Sequence, residues 1–544
     1  MPVFNNALAG AAGSGGAPVF KIERSLRFND DDSAYLSRDF SAGNRKTWTW
    51  SGWVKRANLG TNATLFSADA SSTDFVTIRF ESDKIRVDCQ GDGQSRVQVT
   101  TSAVYRDPSA WYHIVIALDT TQSTPADRCK IYVNSVLQDT SNTLSQDKSF
   151  AVNSTVGHEI GRRSDGNDNY FDGYLADVYF IDGQALAPTD FGESDATTGM
   201  WNPKAYTGTY GTNGFHLLDF ANESTIGNDS SGKNNDWTAY NLQSSDGPIY
   251  SSGVSTYLAA FNSSYNTASA LFNGKIGMND RIISGNTNGC GIKFVPSTAI
   301  TGSIELYLRN GDTANSTFSY SLDNGSTFTN LTTSSSGSYV SIGNQTIGAT
   351  NGIIVRHITT AGTNSVDWRA IRVNSAVLVD GNFGDVFRDA PMNADAASGN
   401  NIGNYATYNP LDLHNTADTL SEGNLKLTSS GSGPAHMGRG TIAMKSGKWY
   451  FEVTWDDTQH NFVGIVGQND TGYNNSYIYL SNAKKSNSNG SSEGTSYGDT
   501  WGNGDVIGVA FDADNGTLTF YKNGVSQGTA FTGIATDGSA GTLF

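Results

Sequence analysis

The sequence predicts an all-β protein made of tandem antiparallel β-sandwiches, and three observations lead there. Between Tyr170 and Glu193, Tyr174, Ala176, Val178 and Phe180 interleave with Leu175, Asp177, Tyr179 and Ile181, the two-residue period of a strand. The composition pairs 61 Gly and abundant Ser, Thr and Asn with 11% aromatic residues, which suits many short strands joined by polar turns and is too rich in buriable rings for disorder. Hairpin signals recur, as where Asp323, Asn324 and Gly325 separate SYSL from STFTNL.

A chain of 544 residues is too long for one core, and at about 100–200 residues per domain it divides into three or four. Its net charge of −17 argues against a sequence-independent grip on nucleic acid, which needs a basic surface to displace counterions. The three cysteines, Cys89, Cys129 and Cys290, lack metal-binding spacing, and their odd number gives no disulfide framework. No apolar run approaches the roughly 18 residues of a membrane span, so no membrane insertion is expected. Met1 to Pro18 lacks the basic leader and continuous apolar core of a signal peptide.

In chain order, residues 1–22 are small and flexible and read as an arm that orders on a partner, or as a disordered tail. Residues 23–240 form the first sandwich. Its strands are read at Thr47–Lys55 and Trp111–Asp119, then at Tyr174–Ile181, which the turn Asp182, Gly183 closes. In TWTWSGWVK, Trp48, Trp50 and Val54 share one face, while Thr47, Ser51, Trp53 and Lys55 share the other. Trp53 thus lies opposite the main core face, where it is either a sugar-stacking platform or, as is commoner for Trp, covered by a loop. A further strand, Phe215–Phe220, and a polar loop ending at Trp237 cap this domain. Residues 245–381 read as a second sandwich, with strands near 303–309, 317–322, 339–342, 352–358 and 366–379. Residues 382–404, rich in Gly, Asn, Asp and Ala, read as a linker. The last module spans 405–544.

The residues Phe171, Gly173, Leu175, Val178, Ala185, Leu186 and Phe191 resemble the closing strand, turn and clip of concanavalin A-like, laminin G-like jelly rolls. The resemblance implies binding of carbohydrate or protein surfaces before catalysis. Asp505, Ile507, Gly508, Val509, Asp512, Gly516, Leu518, Phe520, Tyr521, Lys522, Asn523 and Gly524 resemble the paired strands of a SPRY domain, which implies recognition through loops at one end. A SPRY domain continues with further strands where only Val525 to Phe544 follow here, and truncation of a longer protein is the expected reason, ahead of completion by another subunit. TGTYGTNGFHLLDF followed by DSSGKNNDW resembles the run after the laminin G-like module in tailed-bacteriophage virion proteins, marine ones especially.

The loop between Ile465 and Trp501 is rich in Tyr, Asn and Ser, a composition suited to adaptable recognition. Its candidate ligand contacts are Tyr473, Tyr477, Tyr479, Lys484, Lys485 and Tyr497, beside Trp53, with strand alternation as the plain alternative for Tyr477 and Tyr479. Asp30, Asp31, Asp32, Asp165 and Asp168 are oxygen-rich candidates for calcium, although turn formation is the commoner use of such residues. No other cofactor is expected. Catalytic patterns are missing: there is no E-x-D-x-x-E strand, H-E-x-x-H, G-x-S-x-G or P-loop, and the seven histidines are scattered.

Together these readings give a non-enzymatic virion protein, a tail fibre or receptor-binding adhesin. Residues 1–22 contact other virion proteins, the sandwiches meet host glycan or protein, and homotrimer is the leading assembly. The alternative is a capsid or tail decoration protein that binds only virion neighbours, and a polysaccharide depolymerase comes third. The expected location is the outer surface of the particle, extracellular after release.

Overall fold

The computed structural model describes residues 20–164, 168–196, 198–218, 226–242, 250, 253–258, 271–272, 281–283, 288–311, 316–359, 366–374, 376–378, 385–387, 389–391, 403–415, 417–429, 437–455, 462–467, 476–487 and 494–534. Strands dominate these residues, and helical turns such as Asp30–Asp32 and Pro188–Asp190 are single 3₁₀ turns. The chain divides into two compact units, residues 1–106 with 111–404 and residues 107–110 with 405–544.

In the first unit, a jelly-roll sandwich is built from an eight-stranded and a seven-stranded antiparallel sheet. The eight-stranded sheet runs Val136–Leu137, Cys129–Val133, Trp111–Asp119, Thr47–Arg56, Gly173–Asp182, Ser25–Phe28, Val386–Phe387, and Phe215–Leu217 also pairs with Gly173–Asp182. The facing sheet runs Thr238–Tyr240, Tyr35–Asp39, Gly157–Ile160, Ala63–Ser71, Asp74–Glu81, Lys84–Gly91, Gln94–Thr100. The alternation in Thr47–Arg56 sends Trp48, Trp50 and Val54 into the shared core with Phe66, Ile78, Val87, Ile114, Ile116 and Phe180.

The long signature strand departs from simple alternation. Leu175, Val178 and Phe180 enter the main core, whereas Tyr174, Ala176, Tyr179 and Ile181 lie on the opposite face. The register with Thr47–Arg56 shifts between Ala176 and Tyr179, and Asp177 takes a φ of 53°. One extra residue in the bulge inverts the pattern downstream of it, correcting the grouping of Val178 and Phe180 with Tyr174 and Ala176.

The stretch 382–404 is more than a linker. Its described residues include Val386–Phe387, which pairs with Ser25–Phe28 and forms the edge of the eight-stranded sheet. Arg27 donates to Asp385 at 2.9 Å. Lys55, fully buried, donates from Nζ to Asp389 Oδ2 at 2.8 Å and to Asn404 Oδ1 at 2.9 Å, and Trp111 Nε1 donates to Asp389 Oδ1 at 3.1 Å. Phe20 and Ile22, assigned from sequence to a free arm, also pack on this face. The chain beyond the middle sandwich therefore returns to finish the first one.

The middle strands form two five-stranded sheets around Ile292, Phe294, Ile304, Leu306, Leu308, Phe318, Val355, Trp368 and Ile371. The Asp323, Asn324, Gly325 signal lies in the turn between Ser316–Ser321 and Thr329–Leu331, with Asn324 and Gly325 both at positive φ. The second unit holds two four-stranded sheets. One is Lys448–Thr454, Val506–Asp512, Thr517–Lys522 and Val525–Phe531, and the other is Phe462–Val466, Ser476–Leu480, Asn482–Ser486 and Thr495–Thr500. Ile465, Tyr479, Val509, Phe511, Leu518 and Phe520 lie between them.

Candidate functional site

Three surfaces are set apart by which residues the alternation turns outward. The outer face of the eight-stranded sheet is closed. Trp53, only 3% exposed, stacks on His113 with ring centroids 4.9 Å apart and shares a cluster with Ile22, Trp111, Tyr174, Ala176 and Ala390. It offers no ring face to a sugar, which corrects the platform reading. The cover is the returning chain around Ala390, together with Phe20 and Trp201.

Beneath that cover Ser51 Oγ lies 2.9 Å from His113 Nε2, and Trp201 Nε1 lies 2.9 Å from His113 Nδ1. An indole N–H can only donate, so Nδ1 accepts, Nε2 carries the proton, and His113 donates to Ser51. The pair is thus the reverse of a serine–base dyad, in which the imidazole accepts the hydroxyl proton. In the facing sheet, His158 stacks on Phe40 at 3.7 Å, accepts from the Asn153 amide through Nε2 and donates through Nδ1 to the Val156 carbonyl. Burial pushes both imidazoles down to about 3.

The sign of the resulting pH dependence follows. In the unfolded chain both groups protonate near pH 6.5. Below that pH the unfolded state binds more protons, so stability present above about pH 6.5 is lost as pH falls toward 3. Each histidine contributes a slope of up to about 1.4 kcal/mol per pH unit within that window. Urea denaturation at pH 7, 5.5 and 4 is expected to show this loss, with a shallower slope for His158→Gln, and a flat profile would contradict it.

The bulge makes a second buried constellation that sequence reasoning missed. Asp177 Oδ1 lies 2.7 Å from His216 Nε2, and Tyr179 stacks on that imidazole at 3.9 Å with Phe191, Tyr206 and Tyr210 around it. The one available sequence signal was an Asp in the middle of an otherwise apolar strand. Leu186 and Phe191 do form the clip, with Phe191 fully buried against Tyr179, while Ala185 is exposed.

The outer face of the seven-stranded sheet carries a polar lattice. The Arg162 guanidinium lies 3.4 Å over the Tyr35 ring, and Tyr240 stacks on Tyr35 at 4.5 Å and 2°. Two planar groups this close must take opposite faces of Tyr35, which places Tyr240, 38% exposed, at the end of the stack. Across the sheet, Asp88 is fully buried beneath Arg79, Arg86 and Arg96, at 3.0, 3.1 and 3.0 Å. Glu81 pairs with Arg79 and Arg86. Three guanidinium groups over two carboxylates leave local positive charge on an acidic protein.

In the second unit the predicted contacts mostly hold its two sheets together. Tyr479 is fully buried and its hydroxyl donates to the Asp499 carbonyl, so it is withdrawn as a ligand contact. Tyr477 packs on Phe531 at 5.3 Å, the Tyr497 hydroxyl donates to the Gly528 carbonyl, and Lys485 donates to the Ala530 carbonyl beneath the rings of Tyr497 and Phe531. Lys484 is half-buried on the same strand, and Tyr473 lies outside the described residues. The described residues of the loop expected to be adaptable hold three strands paired in sequence, Ser476–Leu480, Asn482–Ser486 and Thr495–Thr500.

The open feature of this unit lies on the other sheet. Lys448–Thr454 and Val506–Asp512 turn Trp449, Phe451, Ile507, Val509 and Phe511 inward, so Lys448, Tyr450, Glu452, Gly508, Ala510 and Asp512 face out. Of these, Lys448, Ala510 and Asp512 border a shallow recess of about 150 Å³, together with Trp449, Phe511 and, on the next strand, Thr517, Thr519 and Tyr521. Tyr450 is 54% exposed, its ring is 6.1 Å from and nearly perpendicular to that of Tyr521, and its hydroxyl donates to Glu452 Oε1 at 2.7 Å.

The acidic candidates do not converge. Asp30 Oδ2 accepts from Asn58 at 3.1 Å, Asp32 Oδ2 from Asn29 at 2.7 Å, and Asp168 Oδ1 from Asn169 at 2.9 Å. Asp31 lies on the same 3₁₀ turn as Asp30 and Asp32, and Asp165 is outside the described residues. Among the described residues no three His, Cys, Asp or Glu side chains gather as a metal site.

Residues 28–190 match the family model of the concanavalin A-like lectin/glucanases superfamily, and residues 448–544 match that of the SPRY domain. An Arabidopsis thaliana protein, the E3 ubiquitin-protein ligase RKP, is 33% identical over 106 residues, which is 18% of this chain and 8% of that protein's length. Among solved structures, the chain is similar to a heptameric SAP-like pentraxin from Limulus polyphemus, at 16% identity over 30% of this chain and 78% of that one, with a TM-score of 0.25. It is also similar to a putative carbohydrate binding protein from Bacteroides ovatus, at 19% identity over 40% and 58%, with a TM-score of 0.26. The chain thus carries, in one all-β polypeptide, a region similar to the concanavalin A-like lectin/glucanases superfamily and a region similar to the SPRY domain.

Proposed function

We propose that this protein is a non-catalytic adhesin of a tailed-bacteriophage particle, a tail fibre in the simplest arrangement, whose sandwiches recognise glycans on the host surface. The observation that carries glycan recognition is the lectin-family match over residues 28–190 on a sandwich whose seven-stranded sheet ends its aromatic stack at the exposed Tyr240. An exposed aromatic face of this kind can stack on a sugar ring. The phage assignment is supported by the sequence phrases around Thr207 to Trp237, and a homotrimer exposed on the particle accords with it. Attachment to virion neighbours falls to the residues before Phe20.

The purified chain is expected to bind host cells and selected glycans on an array. Tyr240→Ala should weaken that binding by about 0.5–1.5 kcal/mol, a two- to tenfold change. Host polysaccharide incubated with the chain should release no reducing ends. Binding to neither cells nor glycans would identify a decoration protein, and release of reducing ends a depolymerase.

A further inference from the structure

We infer that the recess on the outer face of the SPRY-like unit is a separate saccharide subsite, shaped for one uncharged sugar ring. The inference borrows its ligand class from the proposed glycan recognition but uses none of the same residues. Strand register lays out a three-by-three surface. Its rows across the sheet are Lys448, Asp512, Thr517; then Tyr450, Ala510, Thr519; then Glu452, Gly508, Tyr521. Ala510 holds the middle, and Gly508 lies beside it on one edge. Gly508 cannot carry a side chain without a clash, since a Cβ there would lie 2.5 Å from the Tyr450 hydroxyl. The Tyr450 ring thus lies over Gly508 and meets Tyr521 at 82°, closing that end of the recess, so that Ala510 is left as its small floor and Tyr521 as the ring beside it.

The polar rim supports an uncharged polyhydroxylated ligand. Lys448 Nζ lies 3.8 Å from Asp512 Oδ2, and Glu452, which accepts from the Tyr450 hydroxyl, shares the same outward face, so this face holds two carboxylates to one ammonium. That balance repels phosphates, sulfates and uronates. Fixed acceptors on Asp512 and hydroxyls on Thr517, Thr519 and Tyr521 match the alternating donors and acceptors of sugar hydroxyls. The hydroxyl of Tyr450, held by the Glu452 carboxylate, has its pKa raised to about 12 and stays a neutral donor at physiological pH.

The test is saturation-transfer NMR on the full chain, titrated separately with glucose, galactose, N-acetylglucosamine and glucuronate. At least one uncharged sugar should saturate with a millimolar dissociation constant, and glucuronate should not. Thr519→Arg, which fills the recess from an outward position, and Tyr521→Ala should each weaken that binding at least tenfold, with unchanged urea midpoints. Tyr240→Ala should leave it intact. Equal binding of glucuronate, or unchanged binding in Thr519→Arg, would overturn the subsite. So would a failure of every monosaccharide to saturate; if array binding sensitive to Tyr240→Ala persisted in that case, the proposed function would stand without it.

Discussion

Asp389→Ala is expected to destabilise the first unit by about 3–5 kcal/mol, because it strands a buried ammonium. Lys55 is fully buried and Asp389 is 5% exposed, so no water replaces the lost carboxylate without opening the cover over Trp53 and Trp111. The cost lies in desolvation of the remaining charge rather than in the bond itself. The double variant Lys55→Met with Asp389→Leu removes both charges and should recover most of the loss. Urea unfolding followed by tryptophan emission measures all three proteins. A loss below about 1 kcal/mol for Asp389→Ala would show that the returning segment is not clamped there.

Phe180→Ala is expected to cost about 3–5 kcal/mol by leaving a cavity at the centre of the first sandwich. Its ring lies 5.6 Å from Phe40, 6.0 Å from Trp48, 5.7 Å from Phe66 and 5.8 Å from Phe215, so it joins both sheets. Four rigid rings cannot collapse into the space as flexible aliphatic chains do. Phe180→Leu should recover about half. The same denaturation series checks both variants, and equal stability of Phe180→Ala and wild type would mean that the core repacks around the missing ring.

Much of this architecture is written locally. Strand period and turn residues placed Thr47–Lys55, Trp111–Asp119 and Ser303–Arg309 within observed strands, since each depends on neighbours one or two positions away, and the SPRY resemblance placed the hairpin from Val506 to Lys522. What escaped depends on distant residues. No local pattern shows that Val386–Phe387 pairs with Ser25–Phe28, and a Gly- and Asn-rich stretch reads as a linker whether or not two of its residues end in a sheet. The bulge at Asp177 is hidden for a related reason: alternation counts residues and cannot see one that is skipped.

The candidate site was less legible than the fold. Trp53, Tyr477, Tyr479 and Tyr497 were singled out because aromatic residues suit recognition, yet the same rings are what a sheet needs for packing, and only burial separates the two uses. Tyr450 and Tyr521 were visible as residues, but their neighbourhood across Gly508 and Ala510 exists only once three strands are in register.

The edge strand at Val386–Phe387 also sets a timetable for synthesis. Arg27 and its partner Asp385 are 358 positions apart. At roughly 5–20 residues per second, a ribosome needs on the order of 20–70 seconds to deliver the second after the first. Throughout that interval the nascent sheet carries an unpaired border at Ser25–Phe28, open to pairing with the same border on a neighbouring chain of the polysome. Yield of soluble protein should therefore depend on elongation speed and on the crowding of nascent chains, with slow codons before residue 385 prolonging the vulnerable interval.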